Sequence, residues 1–255
     1  MVHNRINKLF QDKKEGILSV YFTAGFPQLN DTVTIIKELE RNGIDLIEIG
    51  MPFSDPVADG PIIQNSSHIA LQNGMSIKVL FEQLKGIRDK VNIPLILMGY
   101  LNPVLQFGVE NFCKKCKETG IDGLILPDLP LDVFKEELQE IFAKYDLHNI
   151  MLITPQTSDK RLKEIDDIST GFIYMVSGSS TTGIKTSFQN DYFERIKQKS
   201  LKNPRLIGFG ISNCEAFETA CRYSQGAIIG SAFVNTLTPE GNLPSQIADF
   251  TTQFR

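Results

Sequence analysis

The sequence lacks the features that mark several common classes of protein. Its apolar runs fall well short of the roughly 20 residues that a membrane-spanning helix needs. Lys and Arg total 26 against 30 Asp and Glu, a net charge of -4, so there is no basic excess to bind nucleic-acid phosphates. The charged N-terminal segment MVHNRINKLFQDKKEG has no apolar core of a secretory signal. We therefore expect a cytoplasmic protein that binds neither a membrane nor nucleic acid.

Residues that build metal centres are also scarce. The three histidines, His3, His68 and His148, lie far apart, and the four cysteines do not form two close pairs. Cys113 and Cys116 lie in a helical pattern, where a spacing of three places both on one face. We interpret them as incidental helix cysteines, and we expect no metal site and no Ser-His-Asp triad.

Short apolar segments recur eight times and indicate the fold. Because they are apolar throughout and do not alternate, each is predicted to be a strand buried on both faces. Amphipathic helical segments separate them, so strand and helix alternate along the chain. Eight such units over about 250 residues predict an α/β fold, the (β/α)8 TIM barrel. The predicted strands are 17–22, 46–50, 94–100, 123–128, 149–154, 171–177, 205–210 and 226–231.

We predict one domain over residues 1–255, with an N-terminal helix and long loops after strands two and six. A doubly wound open sheet is the main alternative, but the first strand ends in TAGFP and not in a G-x-G-x-x-G turn. The second connection, 50–67, is long and rich in Pro, Gly and Asp, and long loops in compact domains are usually functional. The sixth loop, SGSSTTGIKTSF, fits either a disordered surface loop or a mobile lid.

The ends of the last two strands predict a phosphate site. Strand seven ends in GFGIS (208–212) and strand eight in Gly230 and Ser231. Glycines there let backbone N–H groups approach an anion, and barrel phosphate sites commonly use these two loops. Simple turn formation is the alternative interpretation.

Strand two carries a carboxylate, Glu48, between Ile47 and Ile49. Burial would raise its pKa toward general acid–base use, although an ion pair with a neighbour is the alternative. Asp55 and Asp59 follow in the loop, and both also fit turn positions. No lysine lies inside a predicted strand, which argues against an imine-forming aldolase.

The segment IEIGMPFSDPVADGPIIQNS (47–66) resembles the signature of the tryptophan synthase alpha chain family. The resemblance extends along nearly the whole chain, through FTAGFP, MGYLNPV, PDLP, TGI, GFGIS and IIGSAFV. It implies a (β/α)8 barrel that cleaves indole-3-glycerol phosphate by retro-aldol chemistry into indole and glyceraldehyde 3-phosphate. It also implies a partner, a beta chain that carries pyridoxal phosphate, receives indole in an α2β2 complex and joins it to L-serine. No cofactor is implied in this chain.

The resemblance further assigns roles to individual residues. Glu48 is the main acid–base residue, and Asp59 is the second catalytic carboxylate. The substrate-binding positions are Tyr21, Met98, Tyr100, Ile125, Ile153, Tyr174, Thr182 and Phe209. The phosphate-binding positions are Gly183, Gly210, Gly230 and Ser231. The partner-facing positions are Asp55, Asn102 and Asp128.

One segment departs from the family pattern, and alternatives to the implied function remain open. Residues 178–181 differ from the run that usually precedes the sixth-loop T-G, so that loop is expected to close differently. The alternatives are a standalone lyase of the same fold, a non-catalytic scaffold that binds a partner, and another phosphate-sugar barrel enzyme. Intact Glu48 and Asp59 argue against the scaffold, and the second-loop motif disfavours other barrel enzymes.

Overall fold

A parallel sheet forms the centre of the chain, whose structure is a computed structural model describing residues 4–176, 186–208 and 210–254. Its nine strand segments follow the order β5-β4-β3-β2-β1-β9-β8-β7-β6. The segments are β1 (Ile17–Thr23), β2 (Leu46–Gly50), β3 (Leu95–Met98), β4 (Gly123–Ile125), β5 (His148–Asn149), β6 (Met151–Ile153), β7 (Ile173–Val176), β8 (Arg205–Gly208) and β9 (Gly226–Ile229).

The two ends of this order belong to one barrel strand. β5 and β6 are separated only by Ile150, whose N–H donates to Leu124 O at 3.0 Å. β5 pairs with β4, and β6 pairs with β7, so the sheet curls into a nearly closed barrel. The nine segments therefore make eight barrel strands, and the predicted (β/α)8 fold is confirmed. Each predicted strand overlaps an observed one.

Helices follow the strands in the expected alternation. The described helices are α1 (Arg5–Asp12), α2 (Thr32–Arg41), α3 (Pro61–Gln72), α4 (Ile77–Gln83), α5 (Leu101–Phe107), α6 (Val109–Thr119), α7 (Leu131–Val133), α8 (Gln139–Lys144), α9 (Asp159–Ile168), α10 (Thr186–Lys197), α11 (Cys214–Cys221), α12 (Ser231–Val234) and α13 (Leu243–Thr252). A 3-10 turn covers Ile87–Asp89, and a π-helical turn, Phe134–Leu138, joins α7 to α8. Cys113 and Cys116 are both buried on α6, as expected of helix cysteines.

Alternation along the strands divides the apolar side chains into two layers. An inner cluster fills the barrel and includes Ile17, Leu46 and Ile96, while their chain neighbours pack outward against the helices. Ile6 of α1 belongs to the inner cluster, and the ring of Phe10 lies 5.7 Å from that of Phe172, the residue before β7. The predicted N-terminal helix therefore closes the end of the barrel from which the strands begin.

The second loop is shorter than the sequence suggested. Helix α3 begins at Pro61, so residues 51–60 form the loop and the rest of the 50–67 motif is helical. Proline suits the first helical position because its missing N–H would be unpaired there in any case. Residues 177–185 of the sixth loop lie outside the described residues.

Candidate active site

A cavity of about 370 Å³ opens at the carboxyl ends of the strands. Inward side chains of β1, β3, β7 and β9 form its inner part, and the loops after β2, β8 and β9 form its rim. Its lining residues are Tyr21, Ala58, Asp59, Gly60, Ile63, Met98, Tyr174, Gly210, Ile211, Ser212, Ile228, Gly230, Ser231 and Ala232. This is the end of the barrel at which TIM-barrel enzymes carry their active sites.

Glu48 lies in the barrel interior next to the cavity wall. It pairs in register with Tyr21 across β1 and β2, and its side chain is fully buried. Ser19 Oγ lies 3.3 Å from Glu48 Oε1, whereas Glu48 Oε2 has no hydrogen-bond partner among the described residues. Burial raises the pKa of Glu48 to about 8. The carboxyl is therefore poised to gain and lose a proton near neutral pH.

Asp59 lies in the second loop and is held there by Tyr100. The Tyr100 hydroxyl donates to Asp59 Oδ2 at 3.0 Å and accepts from the N–H of Ala58, also at 3.0 Å. Burial raises the pKa of Asp59, and the bond from Tyr100 opposes that rise. Tyr100 thus fixes both the loop backbone and the carboxylate that faces the cavity.

Two tyrosines form part of the cavity wall because glycines make room for them. A Cβ on Gly50 would lie 2.2 Å from the Tyr21 hydroxyl, and one on Gly208 would lie 2.1 Å from the Tyr174 hydroxyl. Burial and nearby carboxylates raise the pKa of both phenols, so both stay neutral. Gly208, included in the predicted phosphate run, therefore serves the packing of Tyr174.

The Tyr21 hydroxyl starts a chain of hydroxyl contacts. It lies 3.4 Å from Thr23 Oγ1, which is 2.6 Å from Ser66 Oγ, and Ser66 donates to Ile63 O at 2.8 Å. A carbonyl only accepts, so Thr23 must donate to Ser66 and Tyr21 must donate to Thr23. The Tyr21 oxygen is consequently left with accepting lone pairs.

The opposite side of the cavity fits an anion held by backbone groups. Gly210 has φ +76°, a left-handed conformation that favours glycine, and a Cβ on Gly230 would meet Tyr21 at an ordinary contact distance of 3.7 Å. Ser231 begins α12, and Ile211 and Ser212 precede α11, whose first turn is capped by Asn213. Among the described residues, no Lys or Arg lines this cavity.

Not every predicted substrate position reaches the cavity. Ile125 is buried in the inner cluster and pairs in register with Met98, but it is not among the residues that line the cavity. Ile153 packs in the outer cluster against the helices, and Leu152 takes the inward place on that strand. We therefore correct the Ile153 assignment, because strand alternation puts its side chain on the other face. The predicted positions Thr182, Gly183 and Phe209 lie outside the described residues.

The predicted partner-facing residues lie in the second loop, in the first turn of α5 and in the segment after β4. Asp55 and Asn102 are exposed, and Asp128 accepts hydrogen bonds from the N–H of Leu101 at 2.9 and 3.1 Å, which ties the end of β4 to the start of α5. Val57 and Leu105 are large hydrophobic residues left 86% and 53% exposed. The second loop, α5 and the segment after β4 therefore expose acidic, amide and apolar groups.

Sequence reasoning missed several residues around the site. Ser19, Ile63 and Ile228 were not singled out, although Ser19 and Ile228 each lie two residues before an inward position. Alternation along β1 and β9 would have found those two. Ile63 had no comparable signal, because its place depends on where α3 begins.

The described part of the chain has neither a cluster of metal ligands nor a membrane-spanning helix. Within the described ranges, no three or more His, Cys, Asp or Glu side chains group in a way that could hold a metal ion. In that same part of the chain, no helix is both long and apolar enough to cross a membrane.

Comparison with known proteins agrees with the geometry. The family profile described as tryptophan synthase alpha chain matches residues 7–254. The tryptophan synthase alpha chain of Flavobacterium psychrophilum is 59% identical over 253 residues, covering 98% of this chain and 99% of the relative. That of Phocaeicola vulgatus is 54% identical over 249 residues, covering 96% of each chain.

Solved structures give the same answer at lower identity. The tryptophan synthase A-subunit of Pyrococcus furiosus is 35% identical with a TM-score of 0.86, covering 94% of this chain and 98% of its own. The alpha subunit from Legionella pneumophila is 30% identical with a TM-score of 0.88, covering 99% and 97%. Family profile, close relatives and structural neighbours agree along almost the entire length, and the chain therefore belongs to the tryptophan synthase alpha chain family.

Proposed function

We propose that this chain cleaves indole-3-glycerol phosphate to indole and glyceraldehyde 3-phosphate, with Glu48 and Asp59 as its catalytic residues. The reaction is the lyase half-reaction of its family. The observation that carries the residue assignment is the buried Glu48 carboxyl, whose pKa of about 8 suits proton transfer.

The chemistry needs two proton transfers and one bond cleavage. Glu48 gives a proton to indole C3, which turns the ring into an indolenine cation. Asp59 accepts a hydrogen bond from the indole N–H and stabilises that positive charge. The side-chain hydroxyl then returns a proton to Glu48. The substrate carbon that bears this hydroxyl becomes the aldehyde carbon. The electron pair of the broken C–C bond restores the aromatic ring. The proton count is therefore balanced over the cycle.

The cavity would orient the substrate along its length. Tyr21 and Met98 line the cavity, and with Tyr100 they also line a small adjoining pocket, so together they offer an aromatic and apolar surface suited to the indole ring. Gly210, Gly230 and Ser231 lie at the rim, where backbone N–H groups and a hydroxyl can hold the phosphate. Thr182, Gly183 and Phe209 keep their proposed substrate and phosphate roles from the resemblance alone.

The partner of the chain is the tryptophan synthase beta chain, consistent with its family. We propose that Asp55, Asn102 and Asp128 face it, and the exposed Val57 and Leu105 nearby support this surface. We further propose that this chain works without its own cofactor, that pyridoxal phosphate resides in the beta chain, and that the enzyme is cytoplasmic. The match over residues 7–254 supports a single domain over the chain, 1–255.

The direct test is indole release from indole-3-glycerol phosphate by the purified chain, with and without a beta chain. We expect equal amounts of indole and glyceraldehyde 3-phosphate, formed slowly by the chain alone and faster with the beta chain. Fast turnover that the beta chain does not change would favour a standalone lyase. No product in either assay would favour a non-catalytic scaffold.

A further inference from the structure

Ser19 contacts Glu48 from the deeper layer of the barrel. It is fully buried on β1 and lies two residues before Tyr21, so it faces inward below that residue. Its Oγ lies 3.3 Å from Glu48 Oε1, and it has no second side-chain hydrogen bond among the described residues. The two oxygens of Glu48 therefore lie in different environments, because Oε2 has no partner in the same part of the chain.

Counting donors and acceptors shows which donor a proton on each oxygen of Glu48 would leave unpaired. An ionised carboxylate only accepts, so Ser19 donates to Oε1. A proton on Oε1 would have to be donated to Ser19, and the Ser19 hydrogen would then lack an acceptor among the described residues. A proton on Oε2 instead leaves the bond from Ser19 to Oε1 intact, and the unpaired donor is then Oε2–H itself. An unpaired buried donor is costly in either case, but only Oε2–H is a proton that Glu48 can give to a bound substrate while Ser19 stays bonded.

We propose that Ser19 is a positioning residue that holds Oε1 of Glu48 and so makes Oε2 the oxygen that carries and transfers the proton. The proposal rests on the acid–base role of Glu48 in the proposed function. Oε2 gives its proton to indole C3 and later receives the proton of the substrate hydroxyl. Ser19 keeps its own proton throughout and touches neither the substrate nor the reacting atoms.

Among the described residues, Ser19 is the one hydrogen-bond donor to the side chain of Glu48. The titratable groups that face it are the phenols of Tyr21 on β1 and Tyr174 on β7, whose pKa values are raised and which stay neutral. Ile96 of β3 pairs with it in register and is apolar. Burial and the Ser19 bond are the two influences on the pKa of Glu48 within the described residues, and they act in opposite directions.

The test is to titrate Glu48 directly after removing the Ser19 donor. In Ser19→Ala, the pKa of Glu48 should rise by roughly one unit, because the ionised form loses a hydrogen bond. Carbon-13 NMR of labelled glutamate carboxyls measures this, and the Glu48 signal is identified by its absence from Glu48→Gln. Ser19→Cys fills similar space with a weaker donor, so it should shift the pKa in the same direction by less. It also supplies the comparison if the alanine variant folds poorly.

A matched control removes a hydroxyl that does not contact Glu48. Ser66 is 1% exposed and bonds to Thr23 and to Ile63 O. Ser66→Ala should leave the Glu48 titration where it is in the wild type. In the Ser19 variants, the part of the kcat–pH profile that depends on ionisation of Glu48 should shift in the same direction as the pKa measured by NMR. KM should change little.

Two outcomes separate this proposal from the function on which it rests. If Glu48 titrates at the same pH in Ser19→Ala and wild type while Glu48→Gln is inactive, the Ser19 proposal is wrong and the function stands. If Glu48→Gln keeps full activity, the acid–base assignment fails whatever the titration shows.

Discussion

Glu48 links the chemistry of the site to the stability of the fold. Its pKa rises from 4.5 in the free side chain to about 8 in the folded chain because burial disfavours the carboxylate. Between those values the folded state binds the proton more tightly than the unfolded state does. The contribution of Glu48 to stability is therefore greatest below about pH 4.5 and is lost as pH rises toward about 8.

The expected result is a pH-dependent difference between wild type and Glu48→Gln. Glutamine at position 48 cannot ionise. The free energy of unfolding of this variant should therefore increase relative to that of the wild type as pH rises from about 5 to about 8. Above the folded pKa the difference should become constant. Urea unfolding at a series of pH values measures it. A difference that does not vary with pH would mean that the pKa of Glu48 is not raised.

Tyr100 is expected to act through Asp59. Tyr100→Phe removes the 3.0 Å bond that opposes the raised pKa of Asp59, so that pKa should rise further. We expect kcat to fall by roughly tenfold and the limb of the pH profile that follows Asp59 to move to higher pH. Steady-state kinetics across pH measures both effects.

Tyr145→Phe is the matched control for this change. Tyr145 also donates to a carboxylate, Glu110 Oε1 at 2.9 Å, but that bond is exposed and joins α6 to the residue after α8. It should leave kcat and the pH profile unchanged. Similar losses in the two variants would mean that the effect at Tyr100 is not specific to the site.

At the scale of elements, the loop after β8 tests whether backbone groups hold the phosphate. Gly210 and Gly16 share a left-handed φ, +76° and +66°, but Gly16 precedes β1 at the other end of the barrel. Each change to alanine should destabilise the fold by roughly 1 kcal/mol. Only Gly210→Ala should also raise KM severalfold, because a methyl group at the rim keeps the phosphate from the backbone. Melting temperature and KM measured on both variants separate strain from binding.

At Gly230, an added methyl group should affect phosphate binding without straining the fold. A Cβ there meets no protein atom closer than 3.7 Å, so Gly230→Ala should fold as well as wild type. If the phosphate lies against its backbone, KM should rise without a change in melting temperature. An unchanged KM would place the phosphate elsewhere.

The elements themselves were largely predictable from the sequence, but their side-chain contacts were not. Eight continuous apolar runs sufficed for the strands, because parallel strands are covered on both faces. The inward or outward direction of a residue near a strand end depends on register, which is why Ile153 was placed on the wrong face. The Ser19–Glu48 contact joins residues 29 apart in sequence, and no local pattern records it. The length of the second loop was overestimated because PIIQNSS has no strong helical periodicity.

At the scale of the whole molecule, coupling to the beta chain should depend on the loop surface that carries Asp55. Asp55→Ala should reduce activation by the beta chain more than it reduces the basal rate of the chain alone. Favouring a closed state by partner binding takes only a few kcal/mol of differential affinity, so one contact can matter. Indole formation measured at increasing beta-chain concentration gives both quantities.

Two further variants define that surface. Val57→Ser should also weaken binding of the beta chain, because Val57 exposes 86% of its surface and would be covered in the complex. Glu136→Ala removes an exposed acid from the π-helical turn and should leave activation unchanged. Equal losses of basal and activated rate in Asp55→Ala would assign Asp55 to the chemistry or the fold.

The central claim is that a buried carboxyl on β2 transfers the proton that breaks the carbon–carbon bond. Its most direct test is single-turnover indole formation by Glu48→Gln at saturating indole-3-glycerol phosphate. The account predicts a rate lower by roughly 10²–10⁴. It also predicts that affinity for an indol-3-ylalkyl phosphate without side-chain hydroxyls stays near that of the wild type. A glutamine variant that forms indole at the wild-type rate would contradict the account.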